Sequence, residues 1–369
     1  MPRFSRRSFL HLSAAASAAA VFPTLGEAQL AAAARPTAHA ANAVMIDSNE
    51  NPLGPCQSAR DAVSAVIPQG GRYLFDRSRD LTTLFAQSQG LDPDWVSVTV
   101  GSTPPLALSV IAFTSSQRSY VAADPGYELG FFTAQNNGAR VVNVPLTKTY
   151  AHYVKAMLAA APDAGIFYIC TPNNPTGTLT SHADIEYLAA NKPKDSVVLI
   201  DEAYLHFSDA PSCLDLVKGG KDVIVLRTFS KIYGLAGLRC GFIIARPDLR
   251  QKVMQRGGYN PMPITGVAAA MASLKDEKLI AERKRINSSV RQQTFDWRGR
   301  NGFSYIPSDA NFFMLDVKRP GQQFREAMAK EDVLVGRVWP IMPNHVRVTV
   351  GTQEEMQRFQ SACQKTMKA

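Results

Sequence analysis

At 369 residues the chain can hold one large or two medium domains around a substantial buried core. Apolar residues make up 46% and charged residues 19%, ordinary proportions for a soluble globular enzyme. The net charge is +9, but the first 40 residues carry four Arg against one Glu, and the remaining 36 basic and 30 acidic residues form no basic stripe of the kind that binds nucleic acid.

The five cysteines, Cys56, Cys170, Cys213, Cys240 and Cys363, show no CxxC pairing and no metal-ligand spacing, so neither a disulfide framework nor a zinc site is expected. The histidines are isolated, with no HExxH.

In chain order, the first feature is Ser5-Arg6-Arg7-Ser8-Phe9-Leu10, followed by an Ala-rich segment to about Phe22 and the small-residue triplet Ala38-His39-Ala40. His11, Pro23 and Glu27 interrupt the apolar run before it reaches the roughly 20 residues a membrane anchor needs. The hexapeptide resembles the bacterial twin-arginine (Tat) signal, with both arginines and the following Phe-Leu in place. That resemblance implies recognition by the Tat translocase, export after folding to the periplasm or beyond, and cleavage near Ala40.

From Val96 the sequence alternates short β-branched runs with helical stretches. Strands are expected at Val96–Val100, Ser119–Ala122, Arg140–Val144, Gly165–Cys170, Ser196–Ile200, Val223–Arg227 and Cys240–Ala245. Between them lie helical segments such as Leu106–Thr114 and Ala183–Asn191. This alternation predicts an α/β domain with a mostly parallel sheet, whose chemistry belongs at the carboxyl ends of the strands. After Gly266 a charged helical stretch, Lys275–Arg300, leads to strands near Asn311–Val317 and His345–Val350 and a last helix, the texture of a smaller α+β domain.

The residues just past the strands therefore carry the chemical reading. Gly101-Ser102-Thr103-Pro104-Pro105 precedes a helix, whose free N–H groups can receive an anion. Asp124-Pro125-Gly126-Tyr127 places an aromatic ring past a turn, where it can stack on a planar group or serve the core. The two prolines and the glycine of Thr171-Pro172-Asn173-Asn174-Pro175-Thr176-Gly177 make a rigid turn that can aim the Asn174 amide. Asp201, in Asp201-Glu202-Ala203-Tyr204, is a carboxylate at the end of a buried strand and needs a cation, either a salt-bridge partner or a cofactor's pyridinium nitrogen. Lys231 stands just past a core strand, where burial can turn a lysine into an imine-forming amine. Thr228, Ser230 and Arg239 beside it make a phosphate cradle. The glycines after Lys231 do not follow the G-x-G-x-x-G spacing of a dinucleotide site, and there is no Walker A loop and no G-x-S-x-G elbow. An anion loop, an aromatic, an Asn, an Asp and a Lys–Arg cradle follow one another in the order of a pyridoxal-phosphate (PLP) site.

At these residues the chain resembles the fold-type-I PLP-dependent aminotransferases, and within them the histidinol-phosphate aminotransferase branch. The resemblance runs from Asn49-Glu50-Asn51-Pro52 to the carboxyl terminus and is most specific at Pro172–Gly177, Asp201–Tyr204 and Thr228–Gly241. It implies a large domain with a mostly parallel seven-stranded sheet over residues 67–265, an amino-terminal arm over 41–66, and a small α+β domain over 266–369. Lys231 would carry the cofactor as a Schiff base and move the substrate's proton. Asp201 would face the pyridine nitrogen, Asn174 and Tyr204 the ring's 3-oxygen, and Tyr127 the ring face. Ser102, Thr103, Thr228, Ser230 and Arg239 would bind the phosphate. Tyr73 stands where a tyrosine from the neighbouring subunit completes that phosphate site, implying a homodimer with shared active sites. Arg347 matches the arginine that binds the substrate's anionic group, and Arg337 a second one that helps bind a substrate phosphate. No metal is implied.

The chain departs from the family pattern in several places. Thr103-Pro104 replaces an acidic pair, Tyr73-Leu74 replaces Tyr-Pro, the arm Ala41–Ser48 lacks a tyrosine, and the loop between Arg337 and Arg347 is short. The expected activity is transfer of an amino group between an amino acid, or an amino-phosphate compound, and a 2-oxo acid. Histidine synthesis is cytoplasmic, so the export signal argues against histidinol phosphate as the physiological substrate. Two alternatives stand beside it, a PLP-dependent decarboxylase or lyase on the same scaffold and a non-catalytic binding protein.

Overall fold

The computed structural model describes residues 40–257, 261–300 and 302–368; the twin-arginine segment lies outside them. The chain forms a seven-stranded sheet, a three-stranded sheet and a two-stranded one. In chain order the strands are β1 (Val44–Ile46), β2 (Val96–Thr99), β3 (Ser119–Asp124), β4 (Val141–Pro145), β5 (Ala164–Cys170), β6 (Val197–Asp201), β7 (Val223–Thr228), β8 (Gly241–Ala245), β9 (Ser304–Ile306), β10 (Phe312–Asp316), β11 (Val333–Val335) and β12 (His345–Thr349).

The large sheet has the order β2-β8-β7-β6-β5-β3-β4, and every expected strand of the α/β region forms within two residues of its expected ends. β5, β6, β7 and β8 are buried along their whole length, which is why they read as continuous apolar runs rather than as alternating ones. All neighbouring pairs are parallel except those of β8, which runs against both β2 and β7. The residues after β2, β3, β5, β6 and β7 therefore emerge on one side of the sheet. Arg239, just before the reversed β8, arrives on that same side.

A second core forms around β10, β12, β1 and β11, with Phe313, Leu315, Val335 and Val348 among its buried members. The last helix, Gln353–Lys368, closes it through Met356, Phe359 and Cys363, a helical stripe on one face. β1 pairs in parallel with β11, so the start of the described chain is stitched into this core. The charged stretch expected to be helical over Lys275–Arg300 forms the helix Leu279–Arg300, while Lys275 ends the preceding helix, Ile264–Lys275, and Asp276 leaves the helical conformation with ψ 89°. Val267, Ala269 and Ala270 of the first helix belong to the larger core, although they follow residue 265.

Candidate active site

A cavity of about 550 Å³ opens where the strand ends meet, lined by Ser102, Thr103, Tyr127, Asn174, Asp201, Tyr204, Thr228, Ser230, Lys231 and Arg239. Ten residues expected from the sequence to contact a cofactor thus converge on one space.

Its anion end is built from two loops. The helix Thr103–Phe113 begins with Pro at its first turn and points its amino terminus at the cavity behind Ser102. Opposite, Arg239 Nη1 donates to Ser230 Oγ (3.2 Å) and the Ala236 carbonyl (2.8 Å), while Nη2 donates to the Val100 carbonyl (3.3 Å). The Thr228 hydroxyl donates to Ser230 Oγ at 2.9 Å, so the cradle is pre-oriented. Gly101 adopts φ +80°, and a Cβ built there would overlap Arg239 Nη2. The left-handed backbone favours glycine here, and a side chain would also displace the Arg239 guanidinium from the cradle.

At the other end Asp201 is buried and its carboxyl is pushed up to about 6 by burial, against the Ala203 amide, the Tyr168 hydroxyl and the Lys231 charge. The Tyr168 hydroxyl reaches Asp201 Oδ2 at 3.0 Å and the Ala203 N–H reaches Oδ1 at 3.1 Å. Glu202, next in sequence, points to the opposite face of the strand and pairs with buried Arg227 at 2.9 Å. The salt-bridge partner considered for Asp201 thus goes to its neighbour Glu202, and Asp201 faces the cavity.

Lys231 lies between these ends, its Nζ 3.4 Å from the Ser48 carbonyl and 5.5 Å from the Tyr204 ring centroid. The Tyr204 hydroxyl accepts from Asn49 Nδ2 at 3.1 Å. Ser48 and Glu50 also line the cavity, so the Asn49-Glu50-Asn51-Pro52 segment is part of the site's wall. In the sequence that segment marks only where the family resemblance begins, and Tyr168 belongs to no motif. A phenolic hydroxyl inside an otherwise apolar strand, two residues before Cys170, is the available signal.

Arg347 is fully buried; it donates to Asn174 Oδ1 (2.9 Å) and to the Asp47 carbonyl (2.8 Å), which joins it to the cavity through Asn174. Arg337 lies outside the cavity wall and is held by Glu128. Tyr73 also lies away from the cluster, 68% exposed and stacked on Phe75 at 5.3 Å.

A buried carboxylate, a lysine and an anion cradle at a parallel sheet's carboxyl edge define a PLP-dependent enzyme of fold type I. The residues fit PLP, with Thr228, Ser230, Arg239 and the Thr103 helix for its phosphate, Asp201 for its pyridine nitrogen and Lys231 for its aldehyde carbon. Residues 41–362 match the family of class I and II aminotransferases, and the chain belongs to it. Among curated relatives it is 33% identical to the histidinol-phosphate aminotransferase of Symbiobacterium thermophilum, covering 86% of this chain and 89% of that one. It is equally 33% identical to the aromatic amino acid aminotransferase of Cutibacterium acnes, over 89% of this chain and 94% of that one. A solved structure from Erwinia carotovora atroseptica superposes with a TM-score of 0.86 at 30% identity, covering 90% of this chain and 99% of that one. The fold is shared with the Sinorhizobium meliloti histidinol-phosphate aminotransferase solved in complex with pyridoxal-5'-phosphate (TM-score 0.81, 24% identity, 88% and 91% covered). The protein is a PLP-dependent aminotransferase.

Proposed function

We propose that this aminotransferase moves an amino group between an amino acid and a 2-oxo acid, as an exported homodimer. The observation that carries the substrate reading is the placement of Arg347, a buried guanidinium joined through Asn174 to the cavity that holds Lys231. A substrate carboxylate offered to Arg347 gains a charge-assisted, bidentate contact in a dry setting. Its Cα then lies toward Lys231.

When bound, PLP supplies the electron sink for breaking the substrate's Cα–H bond. Lys231, which lines the cavity, would take up and hold that proton at Nζ. Asp201, ionised, would keep a proton on the ring nitrogen, and Tyr204 and Asn174 would donate to the ring oxygen. Tyr127 covers the ring face. The Thr228–Ser230–Arg239 cradle and the helix beginning at Thr103 hold the phosphate and fix the ring against rotation.

Exposed Tyr73 and Phe75 suit a surface covered by a second copy of the chain, where Tyr73 reaches the partner's phosphate cradle. Export rests on the Arg6-Arg7 motif and the Ala38-His39-Ala40 triplet. The Tat translocase and the periplasm are the corresponding partner and address.

The test is a panel of amino donors and 2-oxo acids offered to the purified holoenzyme, with both the 2-oxo product and released CO₂ measured. Amino transfer without CO₂ loss is expected. Arg347→Ala should keep PLP and raise the substrate KM by roughly tenfold or more, a loss of about 1.4 kcal/mol or more. Stoichiometric CO₂ release would move the enzyme to the decarboxylase alternative, and an unchanged KM would mean the carboxylate binds elsewhere.

A further inference from the structure

Beside the cavity stands an ion pair that the cofactor does not use. Glu128 follows Tyr127, a residue of the cavity wall, and its carboxylate accepts from Arg337 Nη2 at 2.9 Å and Nη1 at 3.2 Å. The partners lie 209 residues apart, with side chains 27% exposed for Glu128 and 13% for Arg337. Trp339 organises the neighbourhood: its indole N–H donates to the Gly126 carbonyl at 3.2 Å. Its ring lies 4.6 Å from the Arg337 guanidinium and 5.4 Å from that of Arg347. Two arginines therefore flank one indole at the edge of the site. Arg347 is joined to a cavity amide, whereas Arg337 is already matched by a carboxylate.

We propose that Glu128 is a specificity-determining residue, which neutralises Arg337 and so selects substrates with an uncharged side chain over phosphate monoesters. This rests on the reading of the cavity as an amino-transfer site in which Arg347 binds the substrate's carboxylate. A phosphate approaching Arg337 has two choices, and both are unfavourable. It can displace Glu128, which breaks a bidentate charge-assisted pair and strands a partly buried carboxylate. It can instead settle beside Glu128 and meet a like charge at close range. An uncharged side chain leaves the pair intact. Discrimination here comes from a repulsive element placed against the wrong substrate.

The experiment uses cofactor-loaded wild type, Glu128→Gln and the double variant Glu128→Gln/Arg337→Gln. Each is titrated calorimetrically with inorganic phosphate and assayed for kcat/KM on histidinol phosphate and on phenylalanine. Glu128→Gln should bind phosphate about tenfold or more tightly than wild type. The ratio of histidinol phosphate to phenylalanine should rise by a similar factor, and the double variant should return both to the wild-type range. Should Glu128→Gln not hold PLP, Glu128→Ala carries the same readouts. Unchanged phosphate affinity and an unchanged ratio in a folded, PLP-loaded variant overturn the proposal, as does a wild type that already prefers histidinol phosphate. If loaded wild type transaminates neither substrate, the underlying reading fails alone, and the phosphate titration still decides the role of Glu128.

Discussion

The hydroxyl of Tyr168 donates to Oδ2 of Asp201 at 3.0 Å, from one parallel strand to the next. Cys170 is the register partner of Asp201, and Tyr168, two residues earlier, shares its face of the sheet. A long aromatic side chain spans that diagonal. Burial pushes the Asp201 carboxyl up to about 6, and the Tyr168 bond is one of the contacts that hold it from rising further. With its folded value raised, Asp201 favours the folded state below the usual carboxylate range, and that contribution is lost as pH rises through about 6. Cofactor capture runs the other way, since the ring nitrogen needs the ionised form. Removing the bond in Tyr168→Phe should move the acid-side loss of PLP binding upward by about one pH unit, the effect of one hydrogen bond to a charged group. Absorbance titration of cofactor-free protein with PLP across pH 5–8 measures it. A midpoint identical to wild type would leave Tyr168 a packing residue only.

Lys231→Ala should abolish covalent attachment of PLP, seen as loss of the protein-bound absorbance band, and lower turnover by about 10²–10⁴-fold or more. No second lysine lines the cavity among the described residues. Turnover within a fewfold of wild type would remove Lys231 from the mechanism.

Glu202 and Arg227 form a buried pair, reinforced by Ser212, which donates to both Glu202 oxygens at 3.0 Å. Glu202→Ala leaves Arg227 as an unmatched buried cation and should cost about 3–5 kcal/mol of stability. Glu202→Gln keeps the shape and part of the bonding and should cost less. Denaturant unfolding of the mature chain ranks the two; equal stability of all three proteins would contradict the assignment.

Tyr73 offers a test of shared sites. Lys231→Ala mixed with an inactive Tyr73 variant should regain activity, because a heterodimer contains one site with both wild-type residues. Heterodimers that form but stay inactive would place the action of Tyr73 within its own chain, or nowhere.

Replacing Arg6 and Arg7 with lysine preserves charge and should leave active, uncleaved enzyme in the cytoplasm. A general secretory signal needs only a positively charged start and tolerates the exchange. Cell fractionation with amino-terminal sequencing decides, the mature product beginning near Ala41. Unaltered export of the Lys-Lys variant would refute the Tat reading and leave the aminotransferase untouched.

The large sheet and the residues gathered at its carboxyl edge are legible in the sequence, because both are written locally. Strands buried on both faces must be continuous apolar runs, as Val197–Asp201 and Val223–Thr228 are. Residues that follow parallel strands must meet at one edge, so Asn174, Asp201 and Lys231 could be named without knowing the strand order. What those residues touch depends on packing between distant segments. The three-residue strands β1 and β11 are too short to show a period, and they pair across nearly the whole chain. Tyr168 finds Asp201 through the register of β5 against β6, and Lys231 finds the Ser48 carbonyl across 183 residues. Hydrophobic periodicity records which face of an element is buried, but not which distant element covers it. For that reason the pairing of Arg337 with Glu128, 209 residues away, is absent from any local pattern and comes only from the folded chain.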